Sequence, residues 1–113
     1  MTSPQRAKEW RLKNASRVKA MARAAHLLNS FGLTVGEYDR MYVSQGGLCK
    51  ICGKPESTKR NGVVKRLAVD HSKKTGKIRS LLCAKCNTAM GGIGESVASL
   101  KMVIDYLVAH GEQ

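Results

Sequence analysis

The sequence predicts a small α+β fold: two short strands and a helix at its centre, helices flanking them, and a basic helical arm at the N-terminus. Three observations carry that expectation. The chain has 113 residues, which gives room for one hydrophobic core and not two. Apolar residues recur at helical spacing up to about residue 44, then give way to short β-favouring runs, then return to helical spacing. Four cysteines, Cys49, Cys52, Cys83 and Cys86, form two C-x2-C pairs around the β-favouring stretch.

Composition narrows the function classes. Lys plus Arg total 20 against 8 Asp plus Glu, a formal net charge of +12. So large a surplus on so short a chain points to a polyanionic partner, nucleic acid first and an anionic membrane surface second. Large apolar side chains are too few for a generous core, with Trp10, Phe31 and three Tyr as the only aromatics, so something else must staple the fold. No apolar run approaches the roughly 18 residues of a membrane span. The opening MTSPQRAKEW carries no apolar signal-peptide core. A cytoplasmic protein is expected, and in a reducing compartment paired CxxC units read as metal ligands rather than disulfides.

The elements follow in order. Residues 1–30 form the expected arm. It holds Arg6, Lys8, Arg11, Lys13, Arg17, Lys19 and Arg23 against one acid, Glu9. Ala15, Val18, Met21, Ala25 and Leu28 recur at helical spacing and predict one basic amphipathic helix from about residue 5 to 29. Such an arm suits phosphate contact; a solvated charged helix, or an arm ordered only when bound, is the plainer alternative. Residues 31–113 form the expected metal-stapled domain. In FGLTVGEYDRMYVSQGG, Thr34 and Glu37 have the capping-box form. Val35, Tyr38, Met41 and Tyr42 fall on one face of a packing helix expected to dock the metal module. Gly46 and Gly47 end it. LCKICGK then reads as a turn bearing two thiols, ESTKRNG as a polar loop, and VVKRLAVDH as a strand. SKKTGK is a turn, IRSLLC a second strand, and AKCNTAM the start of a helix that Gly91, Gly92 and Gly94 close. A last helix, Ser96 to Ala109, gathers Val97, Leu100, Ile104, Leu107 and Val108 on one face, most simply a core face.

Two thiolates three residues apart on a tight turn can take two corners of a tetrahedron. Two such turns complete a closed four-thiolate zinc shell with no place for water, hence a structural site. Its folding contribution would be on the order of 10 kcal/mol. Two disulfides, a redox CxxC and an iron–sulfur cluster are the alternatives; no cysteine is left over and the spacing is symmetric, which favours zinc. The intervening thirty residues exceed what a simple zinc ribbon needs, so they must carry structure of their own, a ββ hairpin.

Asp70 and His71 close the first strand, and Asn87 directly follows the last cysteine on the first turn of the helix. In a ββα unit the helix crosses the hairpin and can bring Asn87 toward them. A carboxylate and an amide oxygen are hard ligands that suit Mg²⁺ or a similar ion, and a neutral imidazole beside them suits a general base. Neighbours on a regular strand point to opposite faces, so both can serve one site only if the strand ends or bends there. Each residue also has a plain reading: a structural His, an Asp capping its own turn, an Asn satisfying a local amide. Residues 59–85 nevertheless carry nine Lys or Arg around the single acid Asp70. Lys73, Lys74, Lys77 and Arg79 are candidate phosphate contacts.

LCKICG, followed by LAVDHSKKTGKIRSLLCAKCN, resembles the phage recombination endonuclease VII branch of the HNH, or ββα-metal, nucleases. The helix FGLTVGEYDRMYVSQGG is similar to the one that leads into the first CxxC of that family, so the likeness covers roughly residues 30–110. The resemblance implies that Cys49, Cys52, Cys83 and Cys86 bind structural zinc. It implies that Asp70 and Asn87 hold a catalytic Mg²⁺ or Mn²⁺, and that His71 activates water as general base. It implies a DNA substrate (duplex, nicked or branched), products with 5′-phosphate and 3′-hydroxyl ends, and a setting in the cytoplasm of an infected host. A homodimer is allowed for and a membrane partner is not expected, since the arm's apolar face is mostly Ala. Many members read DHDHxTG where this chain reads DHSKKTG, leaving Ser72 and Lys73 in place of a second acid and His. Met90 stands where some members carry an acid, with Glu95 the nearest later one. A catalytically inactive, zinc-stapled DNA-binding protein is the alternative.

Overall fold

The computed structural model describes residues 3–112; the first two positions of the expected arm and the last of the expected domain lie outside the described residues. The chain divides into two compact units at the junction of Met41 and Tyr42.

In the first unit, α1 (Pro4–Lys13) starts with the Arg6 amide donating to the Ser3 hydroxyl at 3.2 Å, and Pro4 takes a position where a missing N–H costs nothing. α2 (Ala15–Phe31) follows. The single helix expected over 5–29 is therefore two. Asn14 separates them: its amide and its side-chain Nδ2 both donate to the Trp10 carbonyl, at 2.9 and 2.8 Å. A short polar side chain that competes for backbone groups breaks helical continuity. The expected stripe is also corrected. Ala15, Val18, Met21, Ala25 and Leu28 are exposed, and Leu27 is the buried residue of α2. The chain turns at Gly32, in the left-handed region at φ 66°. The Leu33 amide then returns to the Leu27 carbonyl at 3.2 Å, and the Tyr38 ring lies under the Arg23 guanidinium at 4.9 Å. The packed face is thus the Arg23–Leu27 side.

Helix α3 (Val35–Ser44) begins with the expected capping box: the Thr34 amide donates to Glu37 Oε1 and the Glu37 amide to Thr34 Oγ1, both at 3.1 Å. Tyr38 is buried, Val35 and Met41 are half-buried, and Tyr42 is exposed. Gly46 and Gly47, at φ 64° and 73°, end the helical path. A Cβ on Gly47 would lie 2.9 Å from the Tyr42 hydroxyl, so both backbone and space call for glycine there.

The second unit holds two antiparallel two-stranded sheets. β1 (Lys59–Arg60) pairs with β2 (Val63–Val64), and β3 (Ala68–His71) with β4 (Ile78–Leu82). The strand expected over VVKRLAVDH is therefore split. Asn61 and Gly62, at φ 52° and 79°, make a two-residue hairpin turn that draws Val63 and Val64 into pairing with Arg60 and Lys59. The core of this unit is Cys49, Leu67, Val69, Leu81, Leu82 and Cys83. α4 (Ala84–Gly92) packs on β3. α5 (Val97–Ala109) starts at Ser96, whose hydroxyl accepts from the Ser99 amide. Its apolar face, expected as core, is exposed at Val97, Leu100, Ile104, Leu107 and Val108. No helix among the described residues is long and apolar enough to cross a membrane.

Candidate functional site

The four thiols come together. Cys49, Cys52, Cys83 and Cys86 place their sulfurs within 4.8 Å of one another, and the Cys52 and Cys83 sulfurs are 3.9 Å apart. A zinc tetrahedron with Zn–S bonds of about 2.3 Å has edges of about 3.8 Å, so the spacing fits a four-thiolate ion. It is nearly twice a disulfide bond, and all four are free thiols. Local structure aims them inward. The Ile51 amide donates to Cys49 Sγ at 3.4 Å, and the Cys86 amide to Cys83 Sγ at 3.5 Å, with Cys83 as N-cap of α4. Burial pushes the Cys49 thiol up, but the amides of Cys52, Cys83 and Ile51 outweigh it and bring it to about 6. The Cys86 thiol is pushed up to about 12, first by its hydrogen bond with Cys83 and then by burial. The group could hold a zinc ion, whose charge would let all four ionise.

Two residues that carry no functional signal in the sequence hold this frame. Glu56 accepts from the Thr58 amide at 3.0 Å and, across 28 residues, from the Ala84 amide at 2.7 Å. Ala84 opens α4, where free amides and the helix dipole favour a carboxylate. Burial raises the Glu56 pKa, and the amides of Thr58 and Ala84 more than reverse it, leaving it below the ordinary value. Gln45 acts as a one-residue strand on the outer edge of β4. Its Oε1 accepts from the Leu81 amide at 2.9 Å, and its Nε2 donates to the carbonyls of Leu81 at 2.9 Å and Leu48 at 2.8 Å.

The second cluster is acidic. Asp70 pairs in register with Ser80, and His71 with Ile78, so Arg79 is one residue too many in β4. A bulge of this kind bends a ladder and re-aims a side chain. It falls between Asp70 and His71, where a regular strand would have sent the two side chains to opposite faces. Asp70 is 5% exposed, the sole charged residue in the core among the described residues. Arg79 grips it with two bonds, Nε to Oδ2 at 2.6 Å and Nη2 to Oδ1 at 2.9 Å. The same Nη2 donates to Glu95 Oε1 at 2.7 Å. These carboxylates, Asp70 first, hold the Arg79 guanidinium above its ordinary pKa. His71 is exposed at the strand end, and Asn87 is half-buried on the first turn of α4, its amide donating to the Cys83 carbonyl at 3.0 Å.

The candidate phosphate contacts are distributed. Arg6, Lys8, Arg11 and Lys13 are exposed on α1, and Arg17 and Lys19 on α2. Arg23 is instead engaged with Tyr38 and, at 3.9 Å, Asp39. Lys73, Lys74 and Lys77 are exposed on the β3–β4 turn, while Arg79 is turned toward Asp70 and Glu95.

The model of the recombination endonuclease VII family matches residues 24–109. The chain belongs to the recombination endonuclease VII family. It is also similar to the Gene 59 protein of Mycobacterium phage D29, 43% identical over 82 residues, which cover 72% of this chain and 47% of that protein. The Gene 59 protein of Mycobacterium phage L5 is 41% identical over 83 residues, 73% of this chain and 48% of that one. The chain spans about half the length of these curated relatives. No solved structure matches it. The endonuclease VII match takes in both clusters: the four cysteines, Asp70, His71, Arg79, Asn87 and Glu95 all lie inside residues 24–109.

Proposed function

We propose that this member of the endonuclease VII family is a phage-encoded, metal-dependent DNA endonuclease of the HNH type. Asp70 and Asn87 would hold a catalytic Mg²⁺ or Mn²⁺, and His71 is the general base. The observation that carries the reading is the bulge between Asp70 and His71, which lets neighbouring residues serve one centre. A hard divalent ion suits the donor types, a carboxylate oxygen of Asp70 with an amide oxygen of Asn87 as its proposed companion, while in the structure both Asp70 oxygens are held by Arg79. When bound, such an ion supplies Lewis-acid stabilisation of the scissile phosphate and the leaving 3′ oxygen.

The chain's own residues do the rest. His71, exposed to solvent, would take a proton from the attacking water, and cleavage would leave 5′-phosphate and 3′-hydroxyl ends. Structural zinc at the four cysteines takes no part in the chemistry. The basic arm of residues 1–30 and the cations of the β3–β4 turn follow the phosphate backbone of duplex, nicked or branched DNA, in the cytoplasm of an infected cell. Pairing of two copies is compatible with this role.

Nicking of supercoiled plasmid with Mg²⁺ or Mn²⁺ tests the reading. The unaltered protein should cut. His71→Ala should lose activity by the ~10²–10⁴-fold typical of a general base while keeping its zinc and its DNA affinity. A fully active His71→Ala overturns the assignment. An unaltered protein that binds DNA and never cuts supports the zinc-stapled binding protein instead.

A further inference from the structure

Arg79 occupies a place that chemistry would more readily give to a metal ion. It is the extra residue of the β4 bulge, with no partner opposite it in β3. Its side chain joins two nearly buried carboxylates. The Asp70 side chain is 7% exposed and that of Glu95 12%, and one nitrogen, Nη2, lies 2.9 Å from Asp70 Oδ1 and 2.7 Å from Glu95 Oε1. Glu95 is drawn in at φ 54°, in the left-handed region where a residue with a Cβ is strained. Lys73, exposed, stands 3.7 Å from the other Glu95 oxygen. Two negative charges thus face two positive ones, and the group is balanced without a metal.

That balance has a consequence for a divalent ion. An ion bound by Asp70 must take oxygens that Arg79 already holds, and it adds two positive charges to a neutral cluster. Both difficulties ease if the guanidinium leaves. A DNA phosphate is the partner to draw it off: it is planar-fork compatible, bidentate and negatively charged. Taking Asp70 as a ligand of the catalytic metal, as proposed above, we infer that Arg79 is a latch. It occupies the metal's carboxylates in the free protein and exchanges them for a DNA phosphate, so that divalent-metal binding and DNA binding promote each other. Glu95 is the second arm of the latch and a positioning residue.

The test is Mn²⁺ affinity, measured by calorimetry on the zinc-loaded, full-length protein. Each arm is run alone and with a short duplex DNA carrying non-hydrolysable phosphorothioate linkages, so that the DNA stays intact; Mn²⁺ uptake by the DNA itself is subtracted. DNA should tighten Mn²⁺ binding by about tenfold, within the usual 5–150-fold of coupled sites, and Mn²⁺ should tighten DNA binding by the same factor. Arg79→Gln should tighten Mn²⁺ binding without DNA and remove most of the DNA effect. Arg79→Lys, which keeps the charge and loses the fork, should fall between. Equal Mn²⁺ affinity with and without DNA in the Arg79-containing protein overturns the latch without recourse to any Arg79 variant. So does an Arg79→Gln protein, folded and carrying zinc, that binds Mn²⁺ no tighter. Asp70→Asn separates the two layers. If it leaves Mn²⁺ binding intact, Asp70 is not a ligand and the latch falls with that reading. If it abolishes binding while Arg79→Gln changes nothing, the latch alone falls.

Discussion

Replacing Gln45 should unfasten the edge of β4, and its cost can be worked from the bonds it makes. The side chain satisfies three backbone groups: the Leu81 amide at 2.9 Å, the Leu81 carbonyl at 2.9 Å and the Leu48 carbonyl at 2.8 Å. They are not equivalent. Leu48 is 38% exposed, so water can replace the missing donor. The Leu81 carbonyl keeps a second donor, the Lys50 amide at 3.2 Å. The Leu81 amide belongs to a residue with 0% exposure and loses its acceptor outright. An abandoned buried donor costs about 1–3 kcal/mol and a replaceable neutral bond about 0.5–1.5 kcal/mol. The sum for Gln45→Met, which keeps the length and removes only the polar atoms, is about 2–6 kcal/mol. Urea unfolding followed by circular dichroism in excess zinc measures it. At about 1 kcal/mol per molar urea, the midpoint should fall by about 2 M or more with an unchanged slope. Zinc content should stay at the unaltered level before denaturant is added. A Gln45→Met protein whose midpoint stays within about 0.5 M of the unaltered one would refute the view that this carboxamide stands in for a strand.

Three further outcomes are expected. Chelation, or Cys83→Ser, should unfold the β3–β4–α4 unit rather than merely slow cleavage, because a closed four-thiolate shell carries folding free energy on the order of 10 kcal/mol; circular dichroism of the metal-free protein decides it, and a cooperative melt in that form would count against a structural ion. Glu56 has a folded pKa below its ordinary value, so its stabilisation is present above that value and is lost as pH falls through 4.5 and below; Glu56→Gln should lower the melting temperature at neutral pH and flatten the acid limb of the melting-temperature profile. Removing residues 1–24, and with them seven of the 20 cations, should make the salt dependence of DNA affinity shallower, by about 0.9 for each phosphate that is no longer neutralised, and weaken all sequences alike; an unchanged slope with a lowered melting temperature would make the arm a packing element instead.

The parts of the fold that are legible in the sequence are those written in neighbouring residues. Thr34 and Glu37 announce a helix start and form the reciprocal bonds that such a pair makes. The two C-x2-C pairs announce one cluster, and their sulfurs meet. Asn61-Gly62 is just as local a signal for a hairpin, yet it hides inside a polar loop, because the strands it joins are two residues each. Periodicity correctly marks α5 as having an apolar face but carries no information on what lies opposite, and here that face is exposed. On α2 the same limit appears in reverse: Leu27 is buried not for its place in the stripe but because the Gly32 turn returns the chain to its side. Gln45 and Glu56 are illegible for another reason. Their partners lie 36 and 28 residues away, and nothing in a carboxamide or a loop carboxylate names a distant amide.

The acidic cluster shows why the metal frame and the proposed chemistry cannot be separated. Sequence places Asp70 beside His71 and requires a bend between them, but the bend is supplied from the opposite strand, by one surplus residue in β4. That strand is short. Arg79 grips Asp70, Leu81 is pinned by Gln45 on its outer edge, and Cys83 follows directly as both thiol ligand and N-cap of α4. Glu56 fastens the next residue, Ala84, to the loop that leaves the first cysteine pair. The first sulfur of the second pair, on Cys83, is therefore only four positions beyond the guanidinium that balances Asp70. A register slip of one residue in β4 would erase the bulge, turn Arg79 away and leave a buried carboxylate without its cation, at a cost of several kcal/mol. An ion held at Cys83 and Cys86 fixes that register from one end and Gln45 from the side. A zinc ion at the four cysteines would need no contact with DNA to matter for the proposed cleavage: it would hold the one-residue irregularity on which the geometry of Asp70 depends.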